Sequence, residues 1–187
     1  MFGYNNIYEA RELLVLITLM VLPIPIVTVA VLKGLGWAET IFLKNKEERI
    51  APYLITGLLY LTLYLQLART NGANPLQVTS LAAVIVLFTA FFINNFFKIS
   101  LHAAGAMAMV SIIILAVMFY TTDTFIIRYN DLYIGQFQTM HVLFGSIILA
   151  GLICTSRLYL NQHTTMEIYA GALLGFFAPL IAYYFIT

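Results

Sequence analysis

Six apolar runs, each close to the length of a membrane span, restrict the fold of this chain more than any other feature. A run of about 20 apolar residues crosses a bilayer as an α-helix, because a helix satisfies its own backbone hydrogen bonds inside the hydrocarbon. Hydrophobic residues make up 62% of the 187 residues and charged residues only 9%. A soluble fold of this size cannot bury so many apolar side chains away from water. The runs are predicted at about residues 13–32, 52–68, 76–97, 100–120, 141–160 and 167–185.

These runs predict an all-α fold, a polytopic membrane helix bundle with about six transmembrane helices, forming a single domain over residues 1–187. Pro23 and Pro25 predict a kink in the first span, and Pro52 is predicted to lie in the first turn of the second. Residues 121–139 are polar and aromatic, and we expect them to form a loop that rests at the membrane interface.

Charge and cysteine content exclude several classes of function. The net charge of +1 argues against a nucleic-acid partner, which requires a basic face. The single cysteine, Cys154, excludes an internal disulfide and a cysteine-based zinc site. Because Cys154 lies inside an apolar run, we interpret it as a packing residue.

The polar residues are distributed unevenly between the two sides of the predicted bundle. The loops that follow the first, third and fifth spans must lie on one side of the bilayer. These loops and their flanks carry two of the three histidines and six of the nine lysines and arginines. Interfacial anchoring accounts for the cations, but it does not require His and Ser beside them. The pattern therefore predicts a polar site on this side.

The richest of these segments is "SRLYLNQHTTME", residues 156–167. His163 and Glu167 are four residues apart at the start of the sixth span, so they are expected to share one helical face. A carboxylate beside an imidazole fixes its tautomer and stabilises its charged form. Arg157 brings a planar fork of donors that suits phosphate or carboxylate oxygens. Simple interfacial anchoring remains an alternative interpretation of this segment.

Two further segments join the same side. Ser100 and His102 follow Lys98 in a very tight connection between the third and fourth spans, where His102 either donates a proton to a leaving oxygen or caps the helix. Lys44 and Arg49 supply cationic charge in the loop after the first span, which taken alone is typical of a solvated juxtamembrane loop.

Together these segments resemble the signature of the type 2 phosphatidic acid phosphatase superfamily, whose members are integral membrane lipid phosphatases. Its third part, Ser-Arg, five residues, His, three residues, Asp, is matched by Ser156-Arg157, His163 and Glu167. Its second part, Pro-Ser-Gly-His, is matched at residues 99–102, and its first part, Lys, six residues, Arg-Pro, in register at residues 44–52. The stretch that follows, with Gly171 and Gly175, is also similar and predicts close helix contact.

The chain departs from that signature at several positions. Ala51 replaces the arginine before the proline of the first part, so one phosphate ligand is missing unless Arg49 substitutes for it. Glu167 replaces the aspartate and keeps its charge on a longer arm. Ile99 and Leu101 replace the proline and glycine of the second part. These changes bear on the rate and the substrate class more than on the fold.

The resemblance implies a metal-free, cofactor-free hydrolysis in two steps. His163 would attack phosphorus and form a phosphohistidine, oriented by Glu167, while His102 would protonate the departing lipid oxygen. Lys44, Ser100 and Arg157 would hold the phosphoryl oxygens, with Arg49 as a possible fourth ligand. The implied substrates are phosphomonoesters or diphosphates of lipids, such as phosphatidic acid, phosphatidylglycerol phosphate, undecaprenyl diphosphate and lipid A phosphates.

Two other classes of function stay open. One is a non-catalytic protein that keeps the fold and binds or transports phospholipid. The other is an ion or proton carrier, which is disfavoured because carriers place ionisable groups at mid-membrane depth. The resemblance favours a bacterial inner membrane and an outward-facing site. The charge count does not decide the side, because Lys44, Arg49 and Arg157 belong to the predicted site. The oligomeric state is left open.

Overall fold

The computed structural model of the protein describes residues 18, 23–37, 48, 50–69, 74–120, 124–129 and 132–187. The described helices are α1 (Pro23–Gly34), α2 (Ile50–Ala68), α3 (Asn74–Asn94), α4 (Leu101–Leu115), α5 (Thr139–Tyr159) and α6 (Thr165–Ile186), and a π-helical turn, Ala116–Tyr120, extends α4. Five of these segments, α2 to α6, are long and apolar enough to cross a membrane. The protein is a multi-pass membrane protein, and the prediction of an all-α membrane fold is confirmed.

The second to sixth predicted spans agree with α2 to α6 to within a few residues at each end. Pro52 lies in the first turn of α2, as predicted. The first predicted span is described only in its second half, where α1 begins at Pro23. The predicted kink therefore falls partly outside the described residues and stays a prediction.

The connection between α4 and α5 is more regular than the predicted loop. It contains an antiparallel hairpin of strands β1 (Thr124–Tyr129) and β2 (Leu132–Gln138), with an irregularity in the register after Ile127. The segment is rich in β-branched and aromatic residues, which favour strands, and Tyr129 pairs with Leu132 across two residues, Asn130 and Asp131, of types common in tight turns. The connection predicted as a loop thus contains a β-hairpin, and its position at the membrane interface stays a prediction.

By their internal contacts the residues divide into two compact units, Met1–Lys98 and Ile99–Phe185, apart from the last two residues of the chain. This division does not test the prediction of a single domain. In the first unit α2 and α3 pack antiparallel. Gly57 of α2 faces the ring of Phe88 on α3. The side-chain amide of Gln77 donates to the carbonyl of Leu67 at 2.9 Å, which satisfies a carbonyl at the end of α2.

The second unit contains α4, α5 and α6, and α4 is its central element. On one side, Ala106 and Val110 of α4 form a buried cluster with Ala150 of α5. On another side, α4 meets the face of α6 that carries Gly171 and Gly175. Five of the six buried residues of α6 are small or proline, namely Gly171, Gly175, Ala178, Pro179 and Ala182, with Ile168 as the sixth. Side chains of this size allow two backbones to approach closely.

The approach of α4 to α6 is a contact between backbones. A methyl group added to Gly171 would overlap the carbonyl oxygen of Ser100, and one added to Gly175 would overlap the carbonyl oxygen of Ala104. From the first contact to the second, the chain advances four residues on each helix, from Ser100 to Ala104 and from Gly171 to Gly175. Helices α4 and α6 therefore run parallel and begin at the same end of the unit. The close contact predicted for Gly171 and Gly175 is thus formed within one chain, between α6 and α4.

Candidate functional site

The connection between α5 and α6 fixes the spacing between Arg157 and His163. Asn161 adopts a left-handed backbone conformation (φ 52°) just after α5. Its N–H donates to the carbonyl of Leu158 at 2.9 Å, and the N–H of Gln162 donates to the carbonyl of Arg157 at 3.1 Å. These two bonds form a Schellman motif, which ends a helix and reverses the chain within one turn. The five residues between Arg157 and His163 are therefore the residues that this helix end needs to stop α5 and reverse the chain.

Thr164 begins the next helix directly after His163. It has an extended backbone, and its hydroxyl accepts a hydrogen bond from the N–H of Glu167 at 3.4 Å. This is the N-cap arrangement, in which a side-chain oxygen satisfies one of the exposed N–H groups of the first turn. His163 is thus the residue before the cap, and Glu167 lies in the first turn of α6.

His163 and Glu167 form a short side-chain pair. Nδ1–H of His163 donates to Oε2 of Glu167 at 2.7 Å, since an ionised carboxylate only accepts. The two side chains are only 7% and 18% exposed, so water screens the pair weakly. This bond fixes the ring orientation and directs Nε2 away from Glu167. The predicted proximity of His163 and Glu167 is confirmed, although His163 lies just outside the helix.

Ser100 and His102 lie at the start of α4. Ser100 is the N-cap residue, and its hydroxyl accepts from the N–H of Ala103 at 3.4 Å. Ser100 is fully buried, whereas His102, in the first turn, has an exposed side chain. Of the two predicted groups, Ser100 is thus the cap of the helix and His102 faces outward beside it.

One backbone bond joins the two predicted motifs of this unit. The N–H of Ser100 donates to the carbonyl of Glu167 at 3.2 Å. This bond places the N-terminus of α4 directly against the first turn of α6. Ser100 and Glu167, 67 residues apart in the sequence, therefore meet at one end of the unit. The N-terminal ends of both helices, which favour anions, lie there together.

Arg157 occupies the last turn of α5, just before the chain reversal at Asn161. Its side chain is half-buried, and it forms no ion pair with any residue that the structure describes. A cation at this position also complements the negative end of the helix dipole, so part of its role is structural.

The remaining predicted ligands belong to the loop after α1. Lys44 and Arg49 lie outside the described residues, so their assignment stays a prediction. Ala51, which stands where the family signature has arginine, is half-buried in the first turn of α2.

Three residues of this end of the unit were not among the predicted site residues. They are Thr164, Asn161 and Gly171, of which Gly171 was predicted only for helix contact. Thr164 and Glu167 fit the Thr-x-x-Glu spacing that marks a helix start, so this signal was present in the sequence. In the structure the carboxylate of that pair bonds to His163.

Replacing Thr164 with alanine is expected to lower the free energy of unfolding by about 1 kcal/mol, because the N–H of Glu167 loses its cap. Serine at this position keeps the hydroxyl and should restore most of the difference. The measurement is reversible unfolding in mixed detergent micelles. Thr165→Ala, at the exposed neighbouring position, is the matched control, and an equal effect of the two alanine variants would contradict the capping role.

Among the described residues, no group of three His, Cys, Asp or Glu side chains is placed to hold a metal ion. Comparisons with protein-family models, with curated proteins and with solved structures find no match to this chain. The functional interpretation therefore depends on the residues themselves and on the geometry of this end of the second unit.

Proposed function

We propose that the protein is an integral membrane lipid phosphate phosphatase of the type that its motifs resemble. The observation that carries the proposal is the largely buried His163–Glu167 pair, which a backbone bond holds against Ser100, two residues before His102. A carboxylate-oriented histidine and a second, exposed histidine on the adjoining helix start are the groups that a nucleophile and a proton donor require.

In the first step, the lone pair on Nε2 of His163 forms a bond to the phosphorus of the lipid phosphate. The bond between phosphorus and the lipid oxygen breaks as this happens. His102 transfers a proton to that oxygen, and the lipid leaves as an alcohol or, for a diphosphate, as the monophosphate. Glu167 stabilises the positive charge that develops on the ring of His163, because it accepts from Nδ1 at 2.7 Å.

In the second step, a water oxygen attacks the phosphorus of the phosphohistidine. His102, now neutral, takes a proton from this water. The bond between phosphorus and Nε2 breaks, its electrons return to the imidazole of His163, and inorganic phosphate leaves. Neither step needs an oxidant, a reductant or a second substrate besides water.

Charge stabilisation is the main task of the surrounding residues, since phosphoryl transfer spreads negative charge over three oxygens. Arg157 supplies a guanidinium that pairs with no described acidic residue. The converging N-termini of α4 and α6 add backbone partial charges of the same sign. Lys44, Arg49 and the hydroxyl of Ser100 are further ligands by resemblance. Ser100 can donate through its hydroxyl hydrogen while its oxygen accepts from Ala103.

The proposed substrate is a phosphomonoester or diphosphate of a membrane lipid, with its headgroup at this helix end and its tail among the apolar helices. The resemblance further favours a bacterial inner membrane and an outward-facing site, and both assignments rest on the resemblance alone.

Phospholipid binding or transport without catalysis is the second candidate. It is favoured by Ala51, because the first turn of α2 lacks the cation that the family signature has at this position. Losing one hydrogen-bond donor to the transition state raises the activation free energy by about 3 to 4 kcal/mol in a comparable case. The retention of His102, His163 and Arg157 favours the enzyme.

The test is phosphate release by the purified protein from a panel of lipid phosphates in the presence of EDTA. We expect release from at least one lipid at a rate that EDTA does not diminish. Binding of these lipids by folded protein without any release would overturn the enzyme and favour the second candidate. Release that is abolished by EDTA and restored by a divalent cation would contradict the metal-independent mechanism.

Glu167→Gln is expected to lower kcat roughly 10²- to 10⁴-fold with little change in KM, because the neutral amide no longer stabilises the charged imidazole or fixes its tautomer. The backbone carbonyl of Glu167 still accepts from Ser100, so the helix contact is retained. Glu167→Asp keeps the charge and should lose less activity. Unchanged kcat in Glu167→Gln, with the unfolding midpoint also unchanged, would remove the carboxylate from the mechanism.

A further inference from the structure

The two histidines of the proposed reaction lie on different segments, His102 in the first turn of α4 and His163 just before α6. Their separation therefore depends on how α4 is seated against α6. The N–H of Ser100 bonds to the carbonyl of Glu167, and one turn further along α6, Gly171 lies against the carbonyl of Ser100. Both contacts join Ser100, the N-cap residue of α4, to the first two turns of α6.

Gly171 leaves no room for a larger residue at this point. The atoms closest to an added methyl group would be the carbonyl oxygen and carbon of Ser100, which are backbone and cannot rotate away as the end of a side chain does. The same carbonyl accepts the N–H of Ala104 at 3.0 Å, so it is part of the first turn that carries His102. A methyl group at Gly171 must therefore move this turn away from α6.

We infer that Gly171 is a positioning residue for the proposed reaction: its missing side chain lets α4 approach α6 closely enough for His102 to serve the same phosphoryl group as His163. This inference rests on the proposed function, and it assigns to Gly171 a role beyond helix packing. His163 and Glu167 precede the contact on α6 and are joined to each other directly, so the nucleophile stays oriented when α4 moves.

The chemistry provides a readout that a purely structural role would not change. A lipid alkyl phosphate has a poorly leaving oxygen and needs the proton of His102. An aryl phosphate with the same tail, such as a nitrophenyl ester, releases a stable anion and needs no proton. Displacing His102 alone therefore lowers kcat/KM for the alkyl ester and spares it for the aryl ester. The quantity kcat/KM reports the first step, before His102 acts on water in the second. Loss of folded protein slows both equally and leaves the ratio of the two rates unchanged.

The experiment measures kcat/KM of both esters for the wild-type protein, Gly171→Ala and Gly105→Ala in one detergent. Gly105 is the matched control, because it lies on α4 near the same end and has nothing within 4 Å of an added methyl group. We expect the alkyl-to-aryl ratio to fall about tenfold or more in Gly171→Ala, within the range of a lost general acid, and to stay at the wild-type value in Gly105→Ala. An unchanged ratio in folded Gly171→Ala would overturn the inference.

A second variant serves if Gly171→Ala does not fold. Ala103→Ser adds one oxygen to the side chain whose Cβ lies 3.4 Å from an added methyl at Gly171, so it places a smaller wedge in the same contact. We expect a smaller fall in the ratio, and an unchanged ratio would again overturn the inference. Failure of the proposed function is recognised separately, as wild-type protein that releases phosphate from neither ester or that does so without His163.

Discussion

Replacing His163 with alanine is expected to lower phosphate release by at least about 10⁴-fold, because no other group forms the covalent intermediate. The ring also carries the bond to Glu167, and both side chains are largely enclosed. Alanine therefore leaves a largely enclosed carboxylate without its donor and also affects stability. His163→Asn is the better variant, since its amide N–H can still donate to Glu167 while it offers no nucleophile.

The measurement is the initial rate of phosphate release from the lipid that the wild-type protein hydrolyses fastest. His141→Ala is the matched control, because His141 is exposed in the first turn of α5, at the end of that helix opposite Arg157. We expect this control to keep the wild-type rate. Rapid alkaline quenching during turnover, which preserves the phosphorus–nitrogen bond, should trap phosphate on the wild-type protein and none on His163→Asn. If His163→Asn released phosphate at a rate within tenfold of wild type, His163 could not be the nucleophile.

Gly175→Ala is expected to destabilise the protein by roughly 3 kcal/mol, although glycine-to-alanine changes inside helices ordinarily stabilise. The added methyl group would overlap the carbonyl oxygen, carbonyl carbon and Cα of Ala104, all of which are backbone atoms. The clash can be relieved only by separating α4 from α6, and this opens the contact along the small residues of α6.

Gly151→Ala is the matched control for this prediction. Gly151 lies inside α5, is exposed, and has nothing within 4 Å of an added methyl group. Helix propensity alone should stabilise this variant by up to about 1 kcal/mol. The two substitutions are chemically identical, so we expect opposite signs in reversible unfolding in mixed micelles. A Gly175→Ala protein as stable as Gly151→Ala would show that α4 and α6 do not approach as described.

Both large predictions concern the same end of the second unit. The contact between Ala104 and Gly175 continues, one turn earlier, as the contact between Ser100 and Gly171. The packing that stabilises α4 against α6 is therefore continuous with the packing that brings the two histidine segments together. Gly175 lies farther from the histidines along α6, so its replacement should affect folding first.

The sequence predicted some parts of the site because their geometry is local. His163 and Glu167 are separated by one helical turn, and the helix start at Thr164 brings them together without help from distant residues. The reversal at Asn161 is also local, since it follows from hydrogen bonds within six residues. The β-hairpin was missed although its pattern is local, because polar and aromatic residues between two spans were interpreted as an interfacial loop.

The sequence by itself determined that α2 to α6 are membrane-spanning helices, because the transfer of each apolar run into lipid depends on that run alone. Only the tertiary structure decided what Gly171 and Gly175 contact. A small-residue pattern serves equally for contact with another copy of the chain or with another helix of the same chain. The choice of α4 depends on the positions of the backbone carbonyls of Ser100 and Ala104, which lie about 70 residues away in the sequence and are brought near by packing.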